Sequence, residues 1–300
     1  QVRKHCAACR SGTDQTQRAK VRGSVFQGGV RMLGKLMKYE WKATWKLLLS
    51  ANILTVVMTG LARCMVYLMG QTGHSDFRMV DFMAVMVLFT YVGSMFAVCI
   101  GTTIYLIHRF YTSTYGDQGY LLHTLPVDTH HIIIAKVLVS SAWVIINMVS
   151  IYLSVIFLLA TSSEIFHSMM EGMVDMIEYL GAERISAFTV IMTLIAFIFS
   201  IFAKVLKVGA CISLGQLSPN HKLLLSFAWY VGIYVVEQML QSIYFVVTIY
   251  FQEKISHSDY WNYGSYFDRQ WETALLAGII SCVVYYVLTW YVMGRKLNLD

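Results

Sequence analysis

Charged residues are scarce in this chain of 300 residues. Asp, Glu, Lys and Arg make up 13% of the sequence, whereas roughly 25% is usual in soluble domains. Hydrophobic residues make up 57% and occur in long blocks. Helices that are apolar on every side must be buried in a large protein core or in lipid. Because a chain of this length cannot bury several such helices inside protein, we expect a membrane protein that crosses the bilayer several times.

Proline is almost absent, since Pro126 and Pro219 are the only two. Both lie between apolar blocks, so the sequence lacks the broken-helix signature of many secondary transporters. The blocks are too long for strands, and a membrane barrel would show short alternating segments. A spanning helix needs about 20 mostly apolar residues. Six stretches qualify, which predicts an all-α membrane protein with transmembrane helices at 47–69, 82–107, 132–160, 185–206, 223–251 and 273–293.

Signatures of common catalytic and metal sites are also lacking. The sequence has no GxxxxGK[ST] phosphate loop, so the chain cannot hydrolyse ATP itself. It has no HExxH or GxSxG motif and no carboxylate pair at helical spacing within a span. The CxxC motif at Cys6 and Cys9 has no second pair to complete a zinc site. We therefore expect no enzyme, no cofactor and no bound metal.

Basic residues are distributed unevenly between the two sides of the membrane. With a cytoplasmic N-terminus, the inner segments are 1–46, 108–131, 207–222 and 294–300, and the outer segments are 70–81, 161–184 and 252–272. The inner segments, with Lys136 and Lys204 at adjoining helix ends, hold 18 Lys and Arg residues against four in the outer segments. Positive residues are concentrated in cytoplasmic loops. This distribution predicts a multi-pass plasma membrane protein with both termini in the cytoplasm.

Residues 1–31 differ from the remaining 32–300, which form the predicted six-helix domain. They are polar and basic without an apolar period, which is typical of a disordered tail. The alternative is an upstream extension ahead of a native start at Met32. Residues 32–46 place lysines on one side of a helix and apolar or aromatic residues on the other. Such helices lie along the membrane interface, so we expect an elbow helix there, or simply the start of the first span.

The stretch YGDQGYLLHTLPVDTHH, residues 115–131, separates the second and third spans. Asp117 is suited to cap a short helix, because its carboxylate can accept a hydrogen bond from a free backbone N–H. Pro126 disfavours helix in the residue before it, so this helix must end near Leu125. An apolar face formed by leucines would then lie on the cytoplasmic side. It could contact the membrane surface or a partner protein, and an ordinary interfacial turn is the alternative.

The longer stretch FYTSTYGDQGYLLHTLPVDTHHIIIAKVLVSSAW, residues 110–143, resembles the intracellular-loop signature of bacterial ABC-type exporter permease subunits. Residues 211–234, CISLGQLSPNHKLLLSFAWYVGIY, are similar to that family's loop between the fourth and fifth spans. Residues 36–44, LMKYEWKAT, resemble its N-terminal elbow. The resemblance extends over most of residues 32–250. Gln118 stands where the family has glutamate, and residues 1–31 have no counterpart.

The resemblance implies a function and partners. In such exporters the permease pairs with a second copy or a paralogue within membrane lipid, and a short coupling helix contacts a separate cytosolic ATPase subunit. No nucleic acid partner is implied. The residues that the resemblance assigns to ATPase coupling are Gly116, Asp117, Gln118, Gly119, Tyr120, Leu121, Leu122, Leu125, Pro126 and Val127.

Glu237 lies in the middle of the fifth predicted span, with Gln238 beside it and Gln241 one helical turn further on. A charge inside the membrane is costly and usually faces a bundle interior or a wet cavity. These three residues are candidates for a substrate path, and a protonated glutamate that hydrogen-bonds another helix is the structural alternative. If the chain works without an ATPase, the alternative function is a stand-alone channel, ion-coupled carrier or sensor that uses Glu237.

Overall fold

The structure is a computed structural model that describes residues 2–71, 78–116, 129–160, 163–182, 187–217, 221–255 and 263–295. Side chains are described from Met32 onwards, with further gaps near the ends of the helices. Within these ranges the chain is almost entirely helical and contains no strand. The helices of the described part are α1 Val2–Gln71, α2 Arg78–Tyr115, α3 Thr129–Leu159, α4 Ser163–Ala182, α5 Ala187–Gly215, α6 Lys222–Ile255 and α7 Tyr263–Arg295.

Six of the described helices are long and apolar enough to cross a membrane. Their apolar stretches are Met32–Leu68, Phe82–Tyr115, Thr129–Leu159, Phe188–Gly215, Lys222–Thr248 and Trp271–Gly294. Each overlaps one predicted span, which confirms that the described chain is all-α with six helices long and apolar enough to cross a membrane. Helix α4, in the predicted outer segment 161–184, is the additional element. The side of the membrane on which the termini lie stays a prediction.

Helix α1 runs without interruption through residues 32–46 into the first span. The structure therefore does not separate an interfacial elbow from the spanning helix, and the elbow stays a prediction. The side chains of residues 1–31 lie outside the described residues. Whether that stretch is a tail or an upstream extension also stays a prediction.

The spanning helices form two groups of three. Helices α1, α2 and α3 pack together, and α5 packs against both α6 and α7. Helix α3 joins the groups by contacting α5 and α7, and α2 adds a smaller contact with α5. The buried core at this junction consists of Ile132, Ile133, Val137, Leu206, Ala210, Tyr285 and Met293. Large apolar side chains cover the outside of the bundle, as expected for a surface in lipid.

Two glycines of α5 lie where a neighbouring helix approaches closely. Gly209 of α5 lies beneath the ring of Phe110 on α2, where an added Cβ would be 3.1 Å from a ring carbon. At Gly215 an added Cβ would be 1.8 Å from Ser226 Oγ and 2.7 Å from the carbonyl oxygen of Lys222. Glycine is therefore required where α5 ends and α6 begins, since any side chain would push these two helices apart.

A polar contact links all three helices of the first group. Ser154 Oγ of α3 lies 2.5 Å from Thr59 Oγ1 of α1 and 2.7 Å from the Tyr91 hydroxyl of α2. Arg63 donates to the carbonyl oxygen of Phe157 at 3.1 Å, and its guanidinium lies 4.0 Å from that ring centroid. Polar groups in a bilayer need such partners because lipid provides none.

Candidate functional site

Glu237 joins three helices in the second group. Its Oε2 lies 2.6 Å from the Nζ of Lys207 on α5, and its Oε1 accepts a hydrogen bond from the hydroxyl of Tyr285 on α7. Because Glu237 itself belongs to α6, one carboxylate links α5, α6 and α7. Lys207, Glu237 and Tyr285 are called the Glu237 cluster below.

Aromatic rings complete the surroundings of the lysine in this cluster. The Nζ of Lys207 lies 5.3 Å from the ring centroid of Tyr230 and 5.6 Å from that of Tyr234, both on α6. The electron-rich faces of such rings attract a cation. The Lys207 side chain is 9% exposed, whereas that of Glu237 is 36% exposed. The cation is therefore enclosed by protein, and part of the carboxylate remains open to its surroundings.

Two cavities meet at Glu237. The first has a volume of about 530 Å³ and is lined in part by Lys204, Lys207 and Gln241. The second has a volume of about 430 Å³ and is mainly apolar. Glu237, Leu240 and Ser281 line both cavities, so Glu237 lies in the wall between them.

Of the three residues predicted to line a substrate path, two lie at the cavities. Glu237 and Gln241 lie at a cavity wall. Gln238 is exposed and is not among the described residues that line either cavity. The residues that the sequence analysis missed are Lys207 and Tyr285. Lys207 was counted only as an inner positive charge, and no local pattern singles out Tyr285 among 19 tyrosines.

A second charged cluster joins the first group of helices. Glu40 of α1 accepts from Lys136 Nζ of α3 at 3.1 Å and from Arg109 Nε of α2 at 3.3 Å. Lys136 also donates to the hydroxyl of Ser113 on α2, which in turn donates to the carbonyl oxygen of Arg109 at 2.6 Å. Glu40, Arg109, Ser113 and Lys136 are called the Glu40 cluster below. It fixes the ends of α2 and α3 that flank the segment 117–128.

Aromatic stacking next to Glu40 positions α1 against α3. The ring of Trp41 stacks on that of Trp143, with centroids 4.8 Å apart and an interplanar angle of 23°. Tyr105 of α2 donates to the carbonyl oxygen of Ala43 at 3.3 Å. Glu40 is therefore held by neighbours on both of the helices that supply its cations.

Most of the predicted coupling residues lie outside the described residues, since the structure does not describe residues 117–128. This applies to every residue of the set from Asp117 to Val127. Gly116 is described, and its N–H donates to the carbonyl oxygen of Thr112 at 3.2 Å. A Cβ at Gly116 would lie 2.8 Å from the same oxygen, so the close turn at the end of α2 suits glycine.

The residues that border this segment are bonded to the second group of helices. The Tyr115 hydroxyl at the end of α2 lies 2.6 Å from Ser213 Oγ of α5. His130 Nδ1 at the start of α3 lies 2.6 Å from the Tyr286 hydroxyl of α7. The His130 ring also stacks on Trp290, with centroids 5.2 Å apart. Each end of the segment 117–128 is thus tied to a helix that carries part of the Glu237 cluster.

In the part of the chain that the structure describes, no three His, Cys, Asp or Glu residues are grouped so that they could hold a metal ion. No family model, curated protein or solved structure matches this chain.

Proposed function

We propose that this chain is the permease subunit of an ATP-driven exporter, which forms the translocation path and is driven by a separate cytosolic ATPase. The sequence basis is the resemblance of residues 110–143 to the inner loop of bacterial ABC-type exporter permeases. The structural observation that carries the proposal is the attachment of both ends of the segment 117–128 to α5 and α7.

The coupling mechanism follows from these attachments. When the ATPase moves the segment 117–128, it displaces the end of α2 and the start of α3. The Lys136–Ser113 hydrogen bond and the Glu40 carboxylate make these two ends move as one unit. Tyr115 then transmits the displacement to α5, and His130 transmits it to α7.

Movement of α5 and α7 reaches the cavities directly. Lys207 belongs to α5 and Tyr285 to α7, and both bind the Glu237 carboxylate of α6. A relative shift of these helices therefore changes the two cavities that share Glu237. Coupling over such distances requires a chain of packed elements with two arrangements, and the rigid helices supply that chain.

The leucines of the segment provide the expected contact with the ATPase. Leu121 and Leu125 are the anchors, because buried apolar side chains at the centre of an interface carry much of its binding free energy. If the chain is an exporter permease, a gene for an ATPase with a phosphate loop should lie beside its gene, and that ATPase should co-purify with the chain. Replacing both leucines with Asp should abolish co-purification, because two charges would enter an apolar groove.

The matched control for this experiment is Val174→Asp. Val174 is an exposed apolar residue on α4, in the predicted outer segment. This variant should retain the ATPase. If the complex survives the double Leu→Asp change, or if Val174→Asp disrupts it equally, the coupling assignment is wrong.

The alternative is a stand-alone channel, ion-coupled carrier or sensor with Glu237 as its working charge. It is favoured by the position of the partly exposed Glu237 carboxylate between two cavities. Purified chain in liposomes, without any ATPase, distinguishes the two functions. Ion-driven flux that disappears in Glu237→Gln would support the alternative, and flux that requires the ATPase and ATP would support the exporter.

A further inference from the structure

Lys204 places a second positive charge in the spanning part of α5. It lies within the apolar stretch Phe188–Gly215, one turn before Lys207, and lines the larger cavity. Residues three apart lie on the same face of a helix, so both lysines point toward the same region. Lys207 is bonded to Glu237, whereas no hydrogen bond or ion pair joins Lys204 to any residue that the structure describes. A charge within such an apolar stretch normally faces a partner or a cavity.

The larger cavity therefore carries a net positive charge from its described residues. Its charged lining residues are Lys204, Lys207 and Glu237, and the last two neutralise each other. The amide of Gln241 and the hydroxyl of Ser200 also line this cavity. An ammonium group together with uncharged polar groups, in surroundings of low dielectric constant, favours an anionic ligand.

The smaller cavity adjoins the larger one and is more apolar. The apolar residues of its wall include Trp229, Ile233, Val236, Ile280 and Val284. Such a lining suits an aliphatic chain, because the chain makes dispersion contacts with these side chains and has no polar group that would be left unpaired. The shared residues Glu237, Leu240 and Ser281 make the two cavities neighbours.

We propose that the two cavities form one binding site for an amphiphile with an anionic head group and an aliphatic chain. The head group lies against Lys204 in the larger cavity, and the chain lies in the smaller one. The claim that such an amphiphile is the exporter's substrate rests on the proposed function, whereas the claim that the cavities bind it does not. The same chemistry is supplied by a phospholipid of the bilayer and by a free single-chain amphiphile.

Binding can be measured on the purified full-length chain in uncharged detergent, by titration followed with native mass spectrometry. Dodecyl phosphate is the probe. Two compounds separate its features: dodecylphosphocholine has the same chain without net charge, and inorganic phosphate has the charge without the chain. Dodecyl phosphate should bind at least about tenfold more tightly than dodecylphosphocholine, since an added charge-assisted hydrogen bond changes affinity by about that factor. It should also bind more tightly than inorganic phosphate, because only dodecyl phosphate has a chain that contacts the apolar cavity. Equal affinity for dodecyl phosphate and dodecylphosphocholine would overturn the proposal.

Lysine variants test the head-group contact. Lys204→Gln should weaken dodecyl phosphate binding about tenfold, and Lys204→Arg should retain binding, because it keeps the charge. Lys42→Gln is the matched control, since Lys42 is an exposed lysine of α1 and is not among the described residues that line either cavity. The proposal fails if Lys204→Gln and Lys42→Gln bind the probe equally well.

Size variants test the position of the chain. Leu240→Trp fills the boundary that both cavities share, and it should reduce dodecyl phosphate binding. Met239→Trp is the matched control, because the neighbouring Met239 is 63% exposed, as is Leu240, but is not among the described lining residues. Equal binding by the two tryptophan variants would contradict the placement.

Competition with phosphatidylglycerol identifies the source of the ligand. Displacement of dodecyl phosphate by this lipid supports a site for anionic bilayer lipid, and lack of displacement supports a site for a free amphiphile. These measurements need no ATPase. If the ATPase does not co-purify with the chain, the proposed function is contradicted but the binding site is not. If dodecyl phosphate does not bind, the binding site is contradicted but the coupling assignment is not.

Discussion

Replacing Glu40 with Gln tests the Glu40 cluster. The change removes the negative charge between Lys136 and Arg109 while the shape of the side chain is kept. The side chain of Lys136 is 5% exposed, that of Glu40 17% and that of Arg109 25%. Removing one partner of a buried ion pair costs about 3–5 kcal/mol, because the other charge is left uncompensated. The partial exposure of Arg109 allows it to be solvated, so we expect about 3 kcal/mol, the lower end of that range.

The assay is unfolding in mixed micelles with increasing sodium dodecyl sulfate, followed by circular dichroism. Glu171→Gln, at an exposed position on α4, is the control and should change the free energy of unfolding by no more than about 0.5 kcal/mol. Adding Lys136→Met to Glu40→Gln should restore much of the loss, because the uncompensated buried cation is then gone. The electrostatic explanation is refuted if the double variant is no more stable than Glu40→Gln alone, or if Glu40→Gln costs under about 1 kcal/mol, as an exposed pair would.

Three further predictions concern packing, hydrogen bonding and orientation. Gly215→Ala should destabilise the protein in the same assay, because the added Cβ would meet Ser226 and the Lys222 carbonyl. Gly232→Ala is the control: a Cβ there has open space, so this change should be neutral or stabilising by up to about 1 kcal/mol. Equal effects of the two changes would contradict the packing of α5 against α6. Tyr285→Phe removes a hydrogen bond to a carboxylate and should cost about 1.5–3 kcal/mol, whereas Tyr286→Phe, whose partner is His130, should cost roughly 1 kcal/mol. The reverse order would contradict the contact between Tyr285 and Glu237. In a variant without native cysteines, a membrane-impermeant maleimide added to intact cells should label Cys introduced at position 174 and not at position 42, and the opposite pattern would invert the predicted topology.

At the proposed coupling element, the segment 117–128, the sequence and the structure supply different information. Its capping residue, proline and leucines are visible in the sequence, and the resemblance to exporter permeases depends on them. Its helix and its partner stay predictions. The hydrogen bonds that Tyr115 and His130 form at its two ends were not predicted, because no sequence pattern indicates the partner of a tyrosine or a histidine at a helix end.

The two charged clusters differ in what the sequence revealed. Glu237 stood out because an acid amid apolar residues is unusual, yet its partners Lys207 and Tyr285 lie on other helices. Glu40 did not stand out, because it lies among lysines in a stretch that resembles an exposed helix face. Its partner Lys136 is 96 positions away in the chain.

The sequence by itself determined the helical class and the six helices that are long and apolar enough to cross a membrane. The physical reason is that hydropathy is a local property, summed over about 20 consecutive residues that must each tolerate lipid. Only the tertiary structure decided which charges meet, because contacts between helices depend on the rotation and axial offset of each helix. A rotation of α5 or α3 would separate Lys207 from Glu237 or Lys136 from Glu40 without changing any local pattern.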